Sequence, residues 1–210
     1  EKAEMKTPLD GLEAFLDAIE SVYQKYADQV SGIALSMPGN LDSKTGQINT
    51  PGALLYNANI NIIEKLSERI SIPLAVENDG KCAALAELWQ GNLQDVQDAA
   101  VLILGTGVGG AFIHDRQILK GKHFFAGEVA FMITDPKKEG FESFFALKGS
   151  TTALIYQVAQ LKQTDPTTLD GRKIFEWYES GDADCDLALD TLAKNIATQI
   201  FNIQCFLDPE

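Results

Sequence analysis

Residues 99–113, Ala-Ala-Val-Leu-Ile-Leu-Gly-Thr-Gly-Val-Gly-Gly-Ala-Phe-Ile, constrain this chain more than any other stretch. An apolar strand runs into a glycine-rich turn and straight out into a second apolar strand. Gly105, Gly107 and Gly110 formally satisfy G-x-G-x-x-G, but a dinucleotide site needs a helix N-terminus directly after the glycines. Here Ala111-Phe112-Ile113, His114-Asp115-Arg116 and Gln117-Ile118-Leu119 predict a β-hairpin. The context therefore favours a turn that grips phosphate between two strands over a nicotinamide-nucleotide fold. A plain tight hairpin is the competing explanation. Gly105, Gly107, Gly109 and Gly110 around Thr106 exceed what such a hairpin requires.

The chain has 210 residues, 45% of them hydrophobic, enough for one large or two small cored domains. Its net charge of -13 comes with singly scattered Lys and Arg, which argues against nucleic acid and anionic membrane as partners. Cys82, Cys185 and Cys205 lie far apart with no C-x-x-C, as expected in a reducing compartment, the cytoplasm. Apolar runs are of strand length, so none spans a bilayer, and no signal peptide is expected. The chain opens at Glu1 and stops just after a long helical pattern; a trimmed chain is the expectation.

Thr7-Pro8 reads as an N-cap with proline at the first helical position. Leu9, Leu12, Phe15, Leu16, Ile19, Val22, Tyr23 and Tyr26 recur at helical spacing, predicting a helix to about Gln29. Residues 33–37 form a buried-type strand, residues 42–46 a turn, residues 60–70 a helix and residues 74–77 a strand, which makes a crossover unit. A helix over residues 81–90 ends near Gly91, and the polar stretch 91–98 is the candidate junction between domains 1–91 and 92–210. Residues 151–161, 172–179 and 184–207 read as helices, giving an α/β chain with helices gathered late.

Asn78-Asp79 follows a strand and opens a helix, where open α/β sheets place ligand-binding side chains. Asp79 can cap that helix, act in catalysis, or do both. Phosphoryl transfer suits such a carboxylate, because the reaction asks mainly for orientation of the attacking hydroxyl and a late proton acceptor. Glu128 and Glu142 lie in loops, where glutamates usually face water. His114 and His123 have no partners at metal-ligand spacing and read as surface histidines, so no metal site is expected. Cys82 and Cys205 fall on predicted apolar helix faces as buried thiols. Ser36 lacks a G-x-S-x-G elbow, which argues against a hydrolase.

Taken in order, Gly32 with the run to Gly39, Glu77-Asn78-Asp79, the glycine turn, Gly127-Glu128 and the stretch 142–154 resemble the ROK family of bacterial sugar kinases and repressors. The similarity covers residues 30–209. It implies the actin-like (ribonuclease H-like) ATPase fold, two α/β domains around a cleft, incomplete here at both ends. It also implies transfer of the ATP γ-phosphate, with Mg²⁺, to a hydroxyl, the 6-hydroxyl, of a hexose or β-glucoside. In that pattern Asp79 is the catalytic base and Asn78 its sugar-binding neighbour. Glu128 and Glu142 hydrogen-bond sugar hydroxyls, Gly52 or Ala53 offers backbone to the sugar, and Gly105, Thr106, Gly107 and Gly109 form the second phosphate loop. The family is commonly a homodimer.

Three departures qualify the resemblance. Phe131 stands where the family has a histidine that leads into a cysteine-rich zinc module; none of that module is present, so no structural zinc is expected and residues 135–140 form a plain loop. An aromatic there can stack on a second ring or a β-linked aglycone, as in zinc-free members similar to β-glucoside kinases. The family's opening Asp-x-Gly-Gly-Thr loop and its adenosine segment lie outside these 210 residues. Gly80-Lys81 follow Asp79 in place of Ala-Asn, with Lys81 expected to face solvent rather than a phosphate. The alternatives to a kinase are a sugar-sensing transcriptional regulator of the same family and a catalytically silent sugar-binding protein. The chain shows no helix-turn-helix or basic recognition helix.

Overall fold

The computed structural model describes residues 2–210. The chain forms two compact units, one ending at Ala83 and the other beginning at Ala84, so the division falls inside helix α3 (Asp79–Gln90) and upstream of residues 91–98.

In the first unit, α1 (Leu12–Tyr26) begins later than Thr7-Pro8 suggested. Gly11, at φ 138°, breaks the helical path, and the Pro8 carbonyl instead accepts a hydrogen bond from the Tyr56 hydroxyl at 2.8 Å. β1 (Ile33–Met37) pairs in parallel with β4 (Leu74–Asn78), from Ile33 opposite Leu74 to Met37 opposite Asn78. α2 (Ile62–Ser67) lies on the connection between them, with Asn61 accepting from the Glu64 N–H as its cap. The turn at residues 42–46 joins two short antiparallel strands, β2 (Asn40–Leu41) and β3 (Ile48–Thr50), which residue pattern alone does not reveal. Leu16, Met37, Leu41, Ile48, Ile62, Leu66, Ile70 and Val76 form the core, and the α1 positions Leu12, Phe15, Ile19 and Tyr23 pack on it at helical spacing.

The second unit carries the expected hairpin: β5 (Ala99–Leu104), β6 (Val108–His114) and β7 (Gln117–Ile118), all antiparallel. Asp115 and Arg116 both sit at positive φ, the conformation a two-residue hairpin loop needs to match strand twist. Arg116 then donates to the carbonyls of Leu88, Leu93, Gln94 and Val96, tying the hairpin to the end of α3 and the chain beyond it. After α4 (Ala146–Gly149) come α5 (Thr151–Lys162), α6 (Gly171–Glu179) and α7 (Ala183–Leu207). Ser150, Asp170 and Asp182 cap the last three by accepting from the N–H three residues on. Leu154, Val158, Ile174, Cys185 and Ala188 form the core between these helices. Val108, Val129, Phe145 and Ile203 join α7 to the hairpin. Cys205 is exposed and Cys82 half-buried, against the expectation of two buried thiols; the apolar stripe that α7 buries runs through Ala188 and Ile203 instead. Among the described residues no helix is long and apolar enough to cross a membrane.

Lys162 stands 2.6 Å from Asp182 and 3.3 Å from Asp184, over the Trp177 ring. The hydrogen bond from Lys162, with that from the Cys185 N–H, pulls the Asp182 carboxyl from 3.8 down to about 2. A carboxyl depressed in the folded state contributes stability that is present above its unfolded value and lost as pH falls through its folded one. Asp182→Asn is therefore expected to lower the urea midpoint by a constant amount at neutral pH. That difference should shrink as pH falls from about 4 to about 2, as denaturation curves across that range will read.

Candidate functional site

In the first unit, β4 ends on Asn78 and α3 begins at Asp79. Asn78 is 6% exposed and its amide is fully engaged. Oδ1 accepts from the Lys81 N–H at 3.0 Å, while Nδ2 donates to the Gly39 carbonyl at 3.0 Å and to Asp79 Oδ1 at 3.1 Å. The helix cap is thus Asn78, and Asp79 is the first helical residue. Asp79 is exposed; its Oδ1 also accepts from the Gly80 N–H at 2.9 Å, and its Oδ2 has no partner among the described residues. Asn78 therefore fixes the rotamer of Asp79 and leaves one carboxylate oxygen outward. Gly39 and Gly52 both hold positive φ and approach each other closely: a Cβ on Gly52 would stand 2.7 Å from the Gly39 nitrogen. Gly52 is accordingly seated against the backbone that Asn78 holds. Lys81, expected in solvent, is 1% exposed: with Asn78 as cap, its position in the first turn faces inward.

In the second unit, Gly105, Thr106 and Gly107 form the loop between the paired residues Leu104 and Val108, while Gly109 and Gly110 lie within β6 opposite Ile103 and Leu102. Neither Gly105 nor Gly107 needs positive φ, and a Cβ on either would meet nothing within 4 Å. Conformation and packing within the chain therefore do not call for glycine there. The carbonyls of this loop are held from behind: the Thr151 N–H donates to Gly105 O at 2.9 Å and the Thr152 hydroxyl to Thr106 O at 2.6 Å. In a trans peptide the N–H points opposite the C=O, so the N–H groups of Thr106 and Gly107 turn away from α5. Neither has a partner among the described residues. Two adjacent N–H groups without an acceptor among the described residues, flanked by glycine and exposed, suit an anionic oxygen such as that of a phosphate. Thr151 and Thr152 escaped sequence reading, because a Ser-Thr-Thr run before a helix signals only a cap.

Glu128, half-buried, opens the 3₁₀ turn Val129–Phe131, and Glu142, exposed, lies in the 3₁₀ turn Gly140–Ser143. The two segments run side by side, with the Thr134 N–H on Ser143 O and the Phe145 N–H on Met132 O, each at 2.8 Å. Glu142 Oε2 is 3.6 Å from Lys138 Nζ and lines a cavity of about 940 Å³ together with Lys148, Thr152, Tyr156 and Asn195; Glu128 is not on that wall. Glu128 is instead seated on β6: a Cβ on Gly127 would lie 3.0 Å from Ala111 Cα, and one on Gly110 would lie 2.7 Å from Val129 Cγ2. His114 and His123 are both exposed. The ring of His114 bonds Asp98 at 2.6 Å, which raises the histidine and lowers the carboxyl.

The glycine-rich β-hairpin and the strand-to-helix carboxylate belong to an α/β protein of the actin-like ATPase fold. The chain belongs to the ROK family, whose model matches residues 1–210. It is 34% identical over 182 residues to the β-glucoside kinase of Listeria monocytogenes, an alignment that covers 86% of this chain and 62% of that relative. The chain thus spans less than two thirds of that protein's length. A ROK family protein from Streptococcus pneumoniae, solved in complex with sucrose, superposes with a TM-score of 0.83 at 32% identity, covering 98% of this chain and 68% of that one. A ROK family transcriptional regulator, a homologue of the Escherichia coli MLC protein, shares the fold with a TM-score of 0.81 at 24% identity, covering 94% of this chain and 53% of that one.

The contrast between the glycines is testable. Gly110→Ala is expected to cost about 1–3 kcal/mol of stability through overpacking against Val129 and the Val101 carbonyl. Gly107→Ala should leave stability within about 0.5 kcal/mol and yet reduce the rise in melting temperature given by an ATP analogue. Thermal denaturation of both variants with and without the nucleotide reads the two effects apart.

Proposed function

We propose that this chain forms the acceptor site and one phosphate loop of an ATP- and Mg²⁺-dependent sugar kinase acting on a hexose or β-glucoside at its 6-hydroxyl. The observation that carries this reading is the loop at residues 105–107, whose Gly105 and Thr106 carbonyls are tied to α5 and whose Thr106 and Gly107 N–H groups are left for an anion. The kinship with a β-glucoside kinase and with a sucrose-bound ROK protein supports a sugar as the acceptor.

In this mechanism Asp79 Oδ2 receives the hydrogen bond of the acceptor hydroxyl and orients its oxygen towards the γ-phosphorus. As the new O–P bond forms and the bond to the ADP oxygen breaks, the hydroxyl proton passes to Asp79. Asn78 keeps the carboxylate from swinging away by holding its other oxygen. Within the second unit, Glu128 and Glu142 are carboxylates offered to sugar hydroxyls from separate positions, and Thr106 and Gly107 donate to phosphate oxygens; within the first, the Gly52 backbone is offered to a sugar hydroxyl. Most of the rate in phosphoryl transfer comes from such positioning and charge stabilisation, with little covalent work for the protein.

A coupled ADP-release assay on the full-length protein, with glucose, fructose, mannose, N-acetylmannosamine and cellobiose, tests this reading. Sugar-dependent turnover is expected, falling about 10²–10⁴-fold in Asp79→Asn. Sugar binding without turnover on any of the five would instead indicate a sensor or a silent binding protein.

A further inference from the structure

Thr50 has no part in the sites described above, yet in the first unit it grips a peptide on which both Asp79 and Gly52 depend. That peptide joins Gly39 to Asn40, and it is held at both edges. The Gly39 carbonyl accepts from Asn78 Nδ2 at 3.0 Å, and the Asn40 N–H donates to Thr50 Oγ1 at 3.1 Å. In a trans peptide the C=O and N–H point in opposite directions, so the two bonds oppose each other and fix the rotation of the plane. A peptide held at one edge can still pivot about that bond.

The chain explains why a hydroxyl stands there. The turn at residues 42–46 folds β3 back on β2 and sets Asn40 opposite Thr50, with a shift of register between Asn40 and Leu41. Such an irregularity re-aims backbone groups, and bulges of this kind are common next to active sites. Here the Asn40 N–H is taken by a side-chain oxygen. Asn40 is buried, so little water can replace that oxygen. The same peptide lies against the Gly52 turn: a Cβ on Gly39 would stand 2.1 Å from Thr50 O and 2.8 Å from the Gly52 nitrogen. Asn49, the next residue on β3, donates to the Asn40 side chain at 2.9 Å rather than to the peptide.

We propose that Thr50 is a positioning residue of the acceptor site: its hydroxyl fixes the Gly39–Asn40 peptide, and that peptide sets where Asp79 stands relative to the Gly52 backbone. This rests on the reading of Asp79 and Gly52 given above and supplies the residue that keeps them in register. The path is short. Asn78 Nδ2 carries two hydrogens and donates both to Gly39 O and to Asp79 Oδ1. A turn of the peptide therefore rotates the amide and carries the carboxylate with it, while Gly52, packed on Gly39, is displaced from the other side.

The test is steady-state kinetics and calorimetric sugar titration of the full-length protein, with the best-turned-over sugar of the five named above. Thr50→Val keeps the shape of the side chain and removes the accepting oxygen. Its kcat is expected to fall about tenfold, less than the ~10²-fold that a 1 Å misplacement costs, with the KM for ATP unchanged and sugar binding weakened. Thr50→Ser, which retains the oxygen, and Asn49→Ala, which leaves the peptide held, should both stay near wild type. In an Asp79→Asn background, read by single turnover, Thr50→Val should have no further effect, because residues that act on one group are not additive. A merely structural role would lower the melting temperature of Thr50→Val without that non-additivity. Thr50→Ala is the second probe if Thr50→Val does not fold. The proposal is overturned if Thr50→Val keeps wild-type kcat, if Thr50→Ser or Asn49→Ala loses as much, or if the loss recurs in full on Asp79→Asn. Wild-type protein that binds sugar without turnover would remove the kinase reading alone; the titration then decides, and equal sugar affinity in wild type and Thr50→Val overturns the proposal. Wild-type protein that binds none of the sugars removes both, a result visible before any variant is made.

Discussion

The paired hydrogen bonds from the first turn of α5 to the carbonyls of Gly105 and Thr106 fix the glycine-rich loop of the second unit. A helix start always leaves N–H groups without intrahelical acceptors, and a three-residue loop between strands leaves carbonyls without a ladder. Here each shortage meets the other. Ser150 satisfies the Ala153 N–H, which leaves the Thr151 N–H to reach across to Gly105, and the Thr152 hydroxyl takes the adjacent carbonyl. With both carbonyls held, the peptide planes cannot flip, and the outward N–H groups are oriented before any ligand arrives. Donors fixed in advance cost no reorganisation when charge appears in front of them, which is the condition under which backbone amides are most effective.

The first unit achieves the same end with a side chain. Asn78 is buried and its side chain makes three hydrogen bonds that join helix cap, loop backbone and the Asp79 carboxylate in one group. Replacing it would strand the Gly39 carbonyl and the Lys81 N–H together, and buried groups left unpaired cost more than the bonds they lose. The division of labour between Asn78 and Asp79 follows from this: the amide that is spent inside the protein holds, and the carboxylate oxygen that is left outside is available to a ligand. Gly39 and Gly52 take part because only residues without a Cβ allow the two loops to come within contact of each other.

Where local pattern decided the structure, the sequence was readable. The hairpin from Ala99 to Ile118, the strand that ends at Asn78 and the helices after residue 150 all appear where apolar periodicity and turn residues put them. The misreadings have a common physical source, which is that burial is settled by tertiary partners. Pro8 looked like a helix start, but Gly11 at positive φ and the Tyr56 hydroxyl hold it elsewhere. Lys81 looked like a solvent residue because lysine usually is, yet the third position past the Asn78 cap faces inward. Cys205 lies on a long apolar helix whose buried stripe passes through other residues. Around the candidate site, the strand-to-helix position of Asp79 and the strand-to-strand position of the turn glycines were legible from type and spacing. The supporting role of Thr151 and Thr152 was not, because more than forty positions separate them from the loop they hold and nothing local marks the contact.

β6 gives these separate features a common scale within the second unit. Gly107 ends the glycine-rich loop immediately before the strand, and Gly110 lies within the strand, against the segment that carries Glu128. A strand rises about 3.3 Å per residue, so the two glycines are about 10 Å apart along a rigid element. The distance from the open amides of the loop to the Glu128 backbone is therefore set by strand register rather than by a flexible loop, and groups carried on regular elements hold their geometry most closely. The two kinds of glycine divide accordingly: Gly110 and Gly127 are small so that protein can approach protein, whereas Gly105 and Gly107 are small where the protein itself makes no demand. Bulk at Gly110 would shift Glu128 and the Phe131 turn that follows it together, because both hang from the same contact with β6.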